Sequence, residues 1–403
     1  MHEVDMLVAE IGNLELARGG QTGDLALRAE ALASTADVDR HQWDALVSDH
    51  DFFNSWGWLA SLDHALGDTP LLTVRGPTGL LAGCALWDGE RTSGLFCAAE
   101  LFANIPGPWE RDFLWLGGRR STHNEIACVS GHRKAAALKH LLHAAVDRAA
   151  AQDRAGIVVP YVPLPTALEL VGSLPNAALV LHTAEAATPV PHGGLHEMIA
   201  SWRTHDRVSA NAEIAAFERK GNHIEWRPID DELEAVAAHL IAQNRERHGS
   251  APSNEWMRRM LAGQRKSGVI DSAIAAVAMR GDEVVGLTLF YRFGRSLHAR
   301  YFGSNYAIAD KDFRYFCLCY YAPLDYAAAQ GFSEVRLSIA ALQAKAKRGA
   351  QLEPLAAVVA LSDGSRLNQD AVTLHNHTLV QEFRREFQSH LSPEWNLFDV
   401  ETY

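Results

Sequence analysis

The chain has 403 residues and is 48% hydrophobic, which suits two or three domains of roughly 150 residues and a sizeable core. A net charge of −12, from 49 acidic and 37 basic residues, excludes a protein whose main task is to coat nucleic acid, though not a local basic patch. No apolar run approaches the roughly 20 residues of a membrane span, MHEVDMLVAEIGNLELARGG lacks the basic lead of a signal peptide, and the cysteines, Cys84, Cys97, Cys128, Cys317 and Cys319, are odd in number without a C-x-x-C pair. A cytoplasmic protein without disulfides or structural zinc is expected.

Residues 1–22 read as a tail set off by Gly19-Gly20. DVDRHQWDALVSDHDFFNSWGWLASLDHAL is helical in pattern, with Asp37 or Asp39 available as an N-cap. LLTVRGPTGLLAGCALWDGE is a strand, a Gly-Pro-Thr-Gly turn and a second strand, and DFLWLGG is a third run. HRKAAALKHLLHAAVDRAAAQD is a helix, and GIVVPYVP a strand ending at a proline. HTAEAATPVPHGG, rich in Pro, Gly and small residues, is the best linker candidate. It divides the chain into a first domain over 23–190 and a second over 191–403.

The second half opens with Leu195, Met198, Ile199 and Trp202 on a helix that runs, with a break, to Lys220. NHIEWRP is a strand; DELEAVAAHLIAQNRERHG and NEWMRRMLAGQRKSG are helices. The stretch from Asp271 to Leu355 then gives three strands joined by Arg280-Gly281-Asp282-Glu283 and Phe293-Gly294-Arg295-Ser296. In the third, alternation puts Leu297, Ala299 and Tyr301 on one face and His298, Arg300 and Phe302 on the other. That leaves a guanidinium on a mostly apolar face, where it needs an anion or a solvent-filled groove. Phe313, Phe316, Cys317, Tyr320, Leu324, Ala327 and Ala328 mark a buried helical stripe that stops at Gly331. Pro323 inside it offers no N–H to the carbonyl of Cys319, so a bend is expected. Glu334 to Ile339 is a short strand. ALQAKAKRGAQLEPL turns away from it with Lys345, Lys347 and Arg348 closely spaced, and VTLHNHTLVQEFRREFQSHL is a closing helix. The order hairpin, strand, helix, strand occurs twice, about 190 residues apart, and reads as an internal repeat.

Other signals carry less. His140 and His143 lie one helical turn apart without a third ligand, and His375 and His377 fall on a polar helix face, so no metal site is expected. Cys317 and Cys319 do not face each other on a helix. No serine sits in a G-x-S-x-G elbow.

The order strand, two helices, three antiparallel strands, helix, strand resembles the GNAT acyltransferase fold, and two copies in one chain resemble the FemABX aminoacyltransferases. ERKGNHIEW, HARYFGSNYAIADKDFRYFCLCYYAPLDYAAAQGF and AKAKRGAQLEPL are similar to the bacterial FemAB-like "peptidoglycan biosynthesis/recognition" acyltransferases. The resemblance spans roughly residues 50–360 and is strongest after Arg207. It implies an α/β (α+β) fold of two tandem GNAT-like domains, with mixed, largely antiparallel sheets flanked by helices. The main active-site elements are expected in the second domain.

The implied reaction is attack of an amine on an activated acyl carbon, which needs orientation, oxyanion stabilisation and a proton acceptor. The resemblance makes Arg300 and Lys345 the catalytic candidates. Tyr301, Asn305, Tyr320, Tyr321, Lys347, Arg348 and Arg207 are candidates for substrate binding. The loop of Lys345 and Arg348 is short of apolar residues, so both side chains are expected to be exposed and their replacement by Ala to cost less than about 0.5 kcal/mol. Ala340 and Gln343 stand where members of that group usually carry acids. A carboxylate base is therefore not expected there, and an inert peptide- or peptidoglycan-binding relative is the alternative to an enzyme.

For the donor, an acyl-CoA enzyme carries a Gly-x-Gly or Gly-x-Ala nest after its fourth core strand. Here the stretch is Arg300-Tyr-Phe-Gly303-Ser-Asn305-Tyr306-Ala307, without the second glycine. Aminoacyl-tRNA is therefore the expected donor and acyl-CoA the second choice, with no bound cofactor. The acceptor is an amine of a peptide, cell-wall precursor or small metabolite. Arg203, Arg207, Arg219, Lys220, Arg258, Arg259, Arg265, Lys266, Lys345, Lys347 and Arg348 could supply one basic face for tRNA.

Overall fold

A computed structural model describes residues 27–249, 253–308 and 311–399, so the expected tail at 1–22 lies outside the described residues. In chain order the first half contains β1 (Arg28–Leu32), α1 (Trp56–Leu66), β2 (Leu71–Gly76), β3 (Gly79–Asp88), β4 (Leu114–Leu116), β5 (Ala127–Cys128), α2 (Lys134–Ala151), β6 (Gly156–Pro163), α3 (Leu164–Ser173) and β7 (Ala178–Pro189). The second half contains α4 (Gly194–Ser201), α5 (Thr204–Arg219), β8 (Asn222–Arg227), α6 (Asp231–Arg247), α7 (Asn254–Ser267), β9 (Ala273–Arg280), β10 (Glu283–Phe293) and β11 (Ser296–Ser304). It closes with α8 (Ala322–Gln330), β12 (Glu334–Arg336), α9 (Leu342–Ala346), β13 (Gln351–Leu361) and α10 (Gln369–Phe387).

One mixed sheet runs through both halves in the order β1-β2-β3-β4-β6-β13-β7-β12-β11-β10-β9-β8, with β5 beside β3. Among the described residues its parallel pairs are β4–β6 and β11–β12. Each follows a hairpin and is bridged by a helical crossover, α2 in the first half and α8 in the second. No helix of the described residues is long and apolar enough to cross a membrane.

Side-chain caps fix several helix starts. Asp39 caps a short helix at Gln42, Ser55 caps α1, Asp230 caps α6 and Ser253 caps α7, each accepting a backbone N–H of the first turn. α6 and α7 cover one face of the second half, where Leu240, Met257 and Leu261 meet Leu287, Leu289 and Tyr291. α5 and α8 cover the other face, where Phe217 and Leu324 meet Phe290 and Leu297. α1 comes from the first half but packs on α7. Phe52 stacks on Tyr291 at 4.9 Å, and Gly263 lets α7 approach so closely that a Cβ there would lie 2.4 Å from the Ser61 carbonyl oxygen.

Several expectations are corrected. HTAEAATP is not linker but the second part of β7, a strand bonded to β12 on one side and β13 on the other. β13 was not foreseen as a strand. It contains Pro354 and lies between β6 and β7, and β6 ends at Pro163 opposite Leu355, so the proline sits where the β6 side is already open. β1 and α3 were also unforeseen. Cys317–Tyr321 widens into a π-helical turn ahead of Pro323, which is how the helical run accommodates the missing N–H. Phe313, placed on the buried stripe, precedes the helix at φ 56° and is exposed.

Candidate functional site

The site is built on the two parallel pairs, because each is short. β4 and β6 are in register only at Leu114–Ile157 and Trp115–Val158, and β11 and β12 only over Ser296–His298 and Glu334–Arg336. Beyond those residues the strands no longer bond to each other and a gap opens at their C-terminal ends.

In the first half Asn124 fills the gap. Its amide nitrogen donates to the Leu116 carbonyl at 2.9 Å and the Pro160 carbonyl at 3.1 Å, and its backbone N–H to Tyr161 at 3.0 Å. Gly117, at φ 99°, makes room; a Cβ there would lie 1.9 Å from the Asn124 side-chain oxygen. Among the described residues of the second half no side chain spans the strands in this way. The same first-half loop instead reaches across the mouth: the Arg120 carbonyl accepts from Arg300 of β11 at 3.2 Å, and Thr122 meets Ser338, just past β12, at 2.9 Å.

On the α6 side of this gap a β-bulge decides which residues point inward. Leu289 pairs with Tyr301 and Phe290 with Ala299, which leaves Arg300 as the extra residue. Strict alternation therefore fails. Tyr301 joins Arg300 and His298 on the α6 face, and Phe302 joins Ala299 on the α8 face. The Arg300 guanidinium lies 5.1 Å from the Phe53 ring, 5.5 Å from Trp58 and 5.4 Å from Tyr301. With Arg120, Arg245, Trp256 and Tyr301 it lines a cavity of about 200 Å³.

On the α8 side the basic loop is not free. Lys345 is 5% exposed, in α9, and its Nζ donates to the carbonyls of Leu337 and Ser338 at the end of β12. Burial lowers its pKa to about 8, against a partial opposing pull from Glu185. Arg348 donates to Glu213 of α5 at 2.7 Å and to the Tyr321 hydroxyl at 3.0 Å, and lies 3.5 Å over Phe316. Tyr321 also donates to Glu213, and its pKa is raised by burial and by that bond. The Tyr320 hydroxyl donates to Tyr315 at 2.7 Å. The expected exposure of Lys345 and Arg348 is thus corrected: α9 folds the ammonium back under β12, and Glu213, 135 residues away, holds the guanidinium.

The remaining candidates stand apart. Asn305 accepts from Ala307 N–H at 3.1 Å and donates to Glu283 at 3.1 Å, shaping the turn after β11. Lys347 is exposed, and Arg207 is half-buried in α5. The basic residues do not make one face. Those of α5 lie with α8, those of α7 lie across the sheet, and Arg265 is paired with Glu234 at 2.6 Å.

Three features escaped sequence reasoning. Glu213, Arg245 and Arg120 join the site from distant elements without a local signature. Asp312 occupies the N-terminus of the helical run from Arg314, accepting from the Arg314 backbone N–H at 3.2 Å and its Nε at 2.9 Å, with Arg280 at 3.2 Å and Asn222 at 3.0 Å. A buried charge network lies under the gap. Arg336 meets Glu185 at 2.6 Å, Glu353 at 2.6 Å and Glu334 at 3.0 Å, while His123 meets Glu185 at 2.7 Å and Glu125 at 3.2 Å.

No protein-family model matches the sequence, and no curated protein matches it. Solved structures do. FemX aligns at TM-score 0.56 and 12% identity over 82% of this chain and 97% of its own. The C-terminal DUF2156 domain from Agrobacterium fabrum, named for a lysylphosphatidylglycerol synthetase, aligns at 0.53 and 10% over 88% and 98%. L-PGS from Bacillus licheniformis aligns at 0.51 and 12% over 88% and 98%. With its repeated hairpin, parallel pair and crossover helix on one mixed sheet, the chain has the tandem GNAT-like fold of the FemABX type.

Proposed function

We propose that the protein is an N-acyltransferase that passes an aminoacyl group from aminoacyl-tRNA to an amine of a peptide, cell-wall precursor or natural-product intermediate. The acyl-transfer class is supported by the fold it shares with FemX together with an open gap in the second half. In the proposed reaction the amine nitrogen bonds to the ester carbonyl carbon, the ester C–O bond breaks, the ribose hydroxyl leaves with a proton and the amine gives one up. Lys345 has three N–H groups and commits two to Leu337 and Ser338, so one remains for the developing oxyanion. Arg348, held by Glu213 and Tyr321, faces the same side and is a positioning group for the donor.

The observation that carries the choice of donor is Asp312. An acyl-CoA pyrophosphate is bound by free N–H groups and the positive end of a helix dipole. Here a carboxylate already holds that end, ringed by Arg280, Arg314 and Asn222. A second anion would have to displace the buried hydrogen bonds that Asp312 makes there.

Donor binding tests this. Uncharged tRNA should bind, and its affinity should fall roughly tenfold or more as salt rises from about 50 to 200 mM, as several phosphate contacts require. Salt-insensitive binding of acetyl-CoA with none of tRNA would reverse the choice.

A further inference from the structure

We infer that Thr122, in the first half of the chain, is a positioning residue for Lys345: its hydroxyl holds Ser338 in the conformation that turns two carbonyls onto the Lys345 ammonium. The bearing of this on catalysis rests on the transfer reaction above; the placement of the ammonium does not.

Ser338 lies two residues past β12 at φ 64°, in the left-handed region that favours glycine, and Ala341, at φ 53°, precedes α9. A turn with two such residues persists only where its surroundings over-determine it. Three contacts do so. The Leu337 N–H donates to the Ala186 carbonyl at 2.8 Å, the Ala186 N–H donates to the Ser338 carbonyl at 3.2 Å, and the Ser338 hydroxyl meets that of Thr122 at 2.9 Å. The first two tie the turn to β7. The third is a side-chain bond between residues 216 apart in the chain. Thr122 is itself fixed, at 4% exposure, between Arg120, whose carbonyl accepts from Arg300, and His123, bonded to Glu185 of β7 at 2.7 Å. With Ser338 so turned, its carbonyl and that of Leu337 both accept from the Lys345 Nζ. Relaxation of the turn would swing the Ser338 carbonyl away and leave the ammonium to be hydrated.

Burial lowers the Lys345 pKa to about 8, so its proton reports its position. Two titratable groups face it, Glu185 of β7 and Cys319 of the π-helical turn, and both oppose that shift. Glu185 is held near 2 and the Cys319 thiol is pushed up to about 12, so neither changes charge near pH 8.

The test is trace acetylation of the full chain with acetic anhydride across pH, read at Lys345 by mass spectrometry, since only the neutral amine reacts. Wild type should show its midpoint near pH 8. In Thr122→Val, which keeps the shape and loses the hydroxyl, the midpoint should rise toward the ordinary 10.5 by roughly one unit or more, a tenfold gain in proton affinity. Thr122→Ser, which keeps the hydroxyl, should stay near the wild-type value. Ser338→Ala should match Thr122→Val, and the double variant should rise no further than either, because one bond is lost in all three. If Thr122→Val does not fold, Ser338→Ala decides. A melting temperature lowered in Thr122→Val with the midpoint unmoved, or a Thr122→Ser midpoint as high as that of Thr122→Val, would overturn the inference. The labelling needs no tRNA or acyl-CoA, so a protein that shows these midpoints yet transfers nothing keeps this inference and loses the reaction, and one that transfers while its Thr122→Val midpoint is unmoved does the reverse.

Discussion

Replacing Lys345 by Met should lower the transfer rate by about 10²–10³, the loss typical of removing one oxyanion donor. Methionine keeps the apolar stem but leaves the Leu337 carbonyl without its Nζ donor, at a cost on the order of 1–3 kcal/mol, while the Ser338 carbonyl keeps the Ala186 N–H at 3.2 Å. The pH profile separates chemistry from folding. Folded Lys345 releases its proton near pH 8, the unfolded residue near 10.5, so between these values the unfolded state binds more protons. Stability from this residue therefore rises with pH across that window, while activity that needs the ammonium falls through about pH 8. A wild-type rate that stays flat from pH 7 to 10, or that falls only as the melting temperature falls, would remove Lys345 from the chemistry.

The second large effect is expected at Arg336. Arg336→Gln should destabilise the fold by about 3–5 kcal/mol, because it strips the guanidinium from Glu185, which is 2% exposed. The pH dependence gives the check. Burial alone would raise the Glu185 pKa, but Arg336 and His123 hold it near 2. A depressed carboxylate contributes stability above its unfolded pKa, near 4.5, and loses it as pH falls through the folded value. Without Arg336, Glu185 protonates more readily, so the gap between variant and wild type should narrow as pH falls below about 5. Denaturant melts at pH 7 and pH 4 test this; a gap that widens in acid contradicts it.

These residues also show what the sequence made legible. The strands and helices from Asn222 to Gly331 were readable because hairpin glycines and helical stripes are local signals, and the same signals placed Lys345 and Arg300 at a strand end and on a strand. The bulge at Arg300 was not readable, since one inserted residue leaves the hydrophobic pattern intact while turning Tyr301 to the other face. β13 was hidden by Pro354 and by an apolar run with no period of its own, and its position between β6 and β7 joins strands far apart in the chain. Glu213 and Glu185, which pair with Arg348 and Arg336, come from distant elements, so charge could be counted but not paired. The expected basic face failed for that reason.

The proposed activity is transfer of an aminoacyl group to an amine at the gap beside β12. Its most direct measurement is a single assay in which the protein meets a mixture of charged tRNAs or acetyl-CoA, each with a panel of amines. Product is read as a new amide by mass spectrometry. Aminoacyl-amide product is expected from charged tRNA, and it should be lost in Lys345→Met. Acetylated product from acetyl-CoA, with none from any charged tRNA, would contradict it.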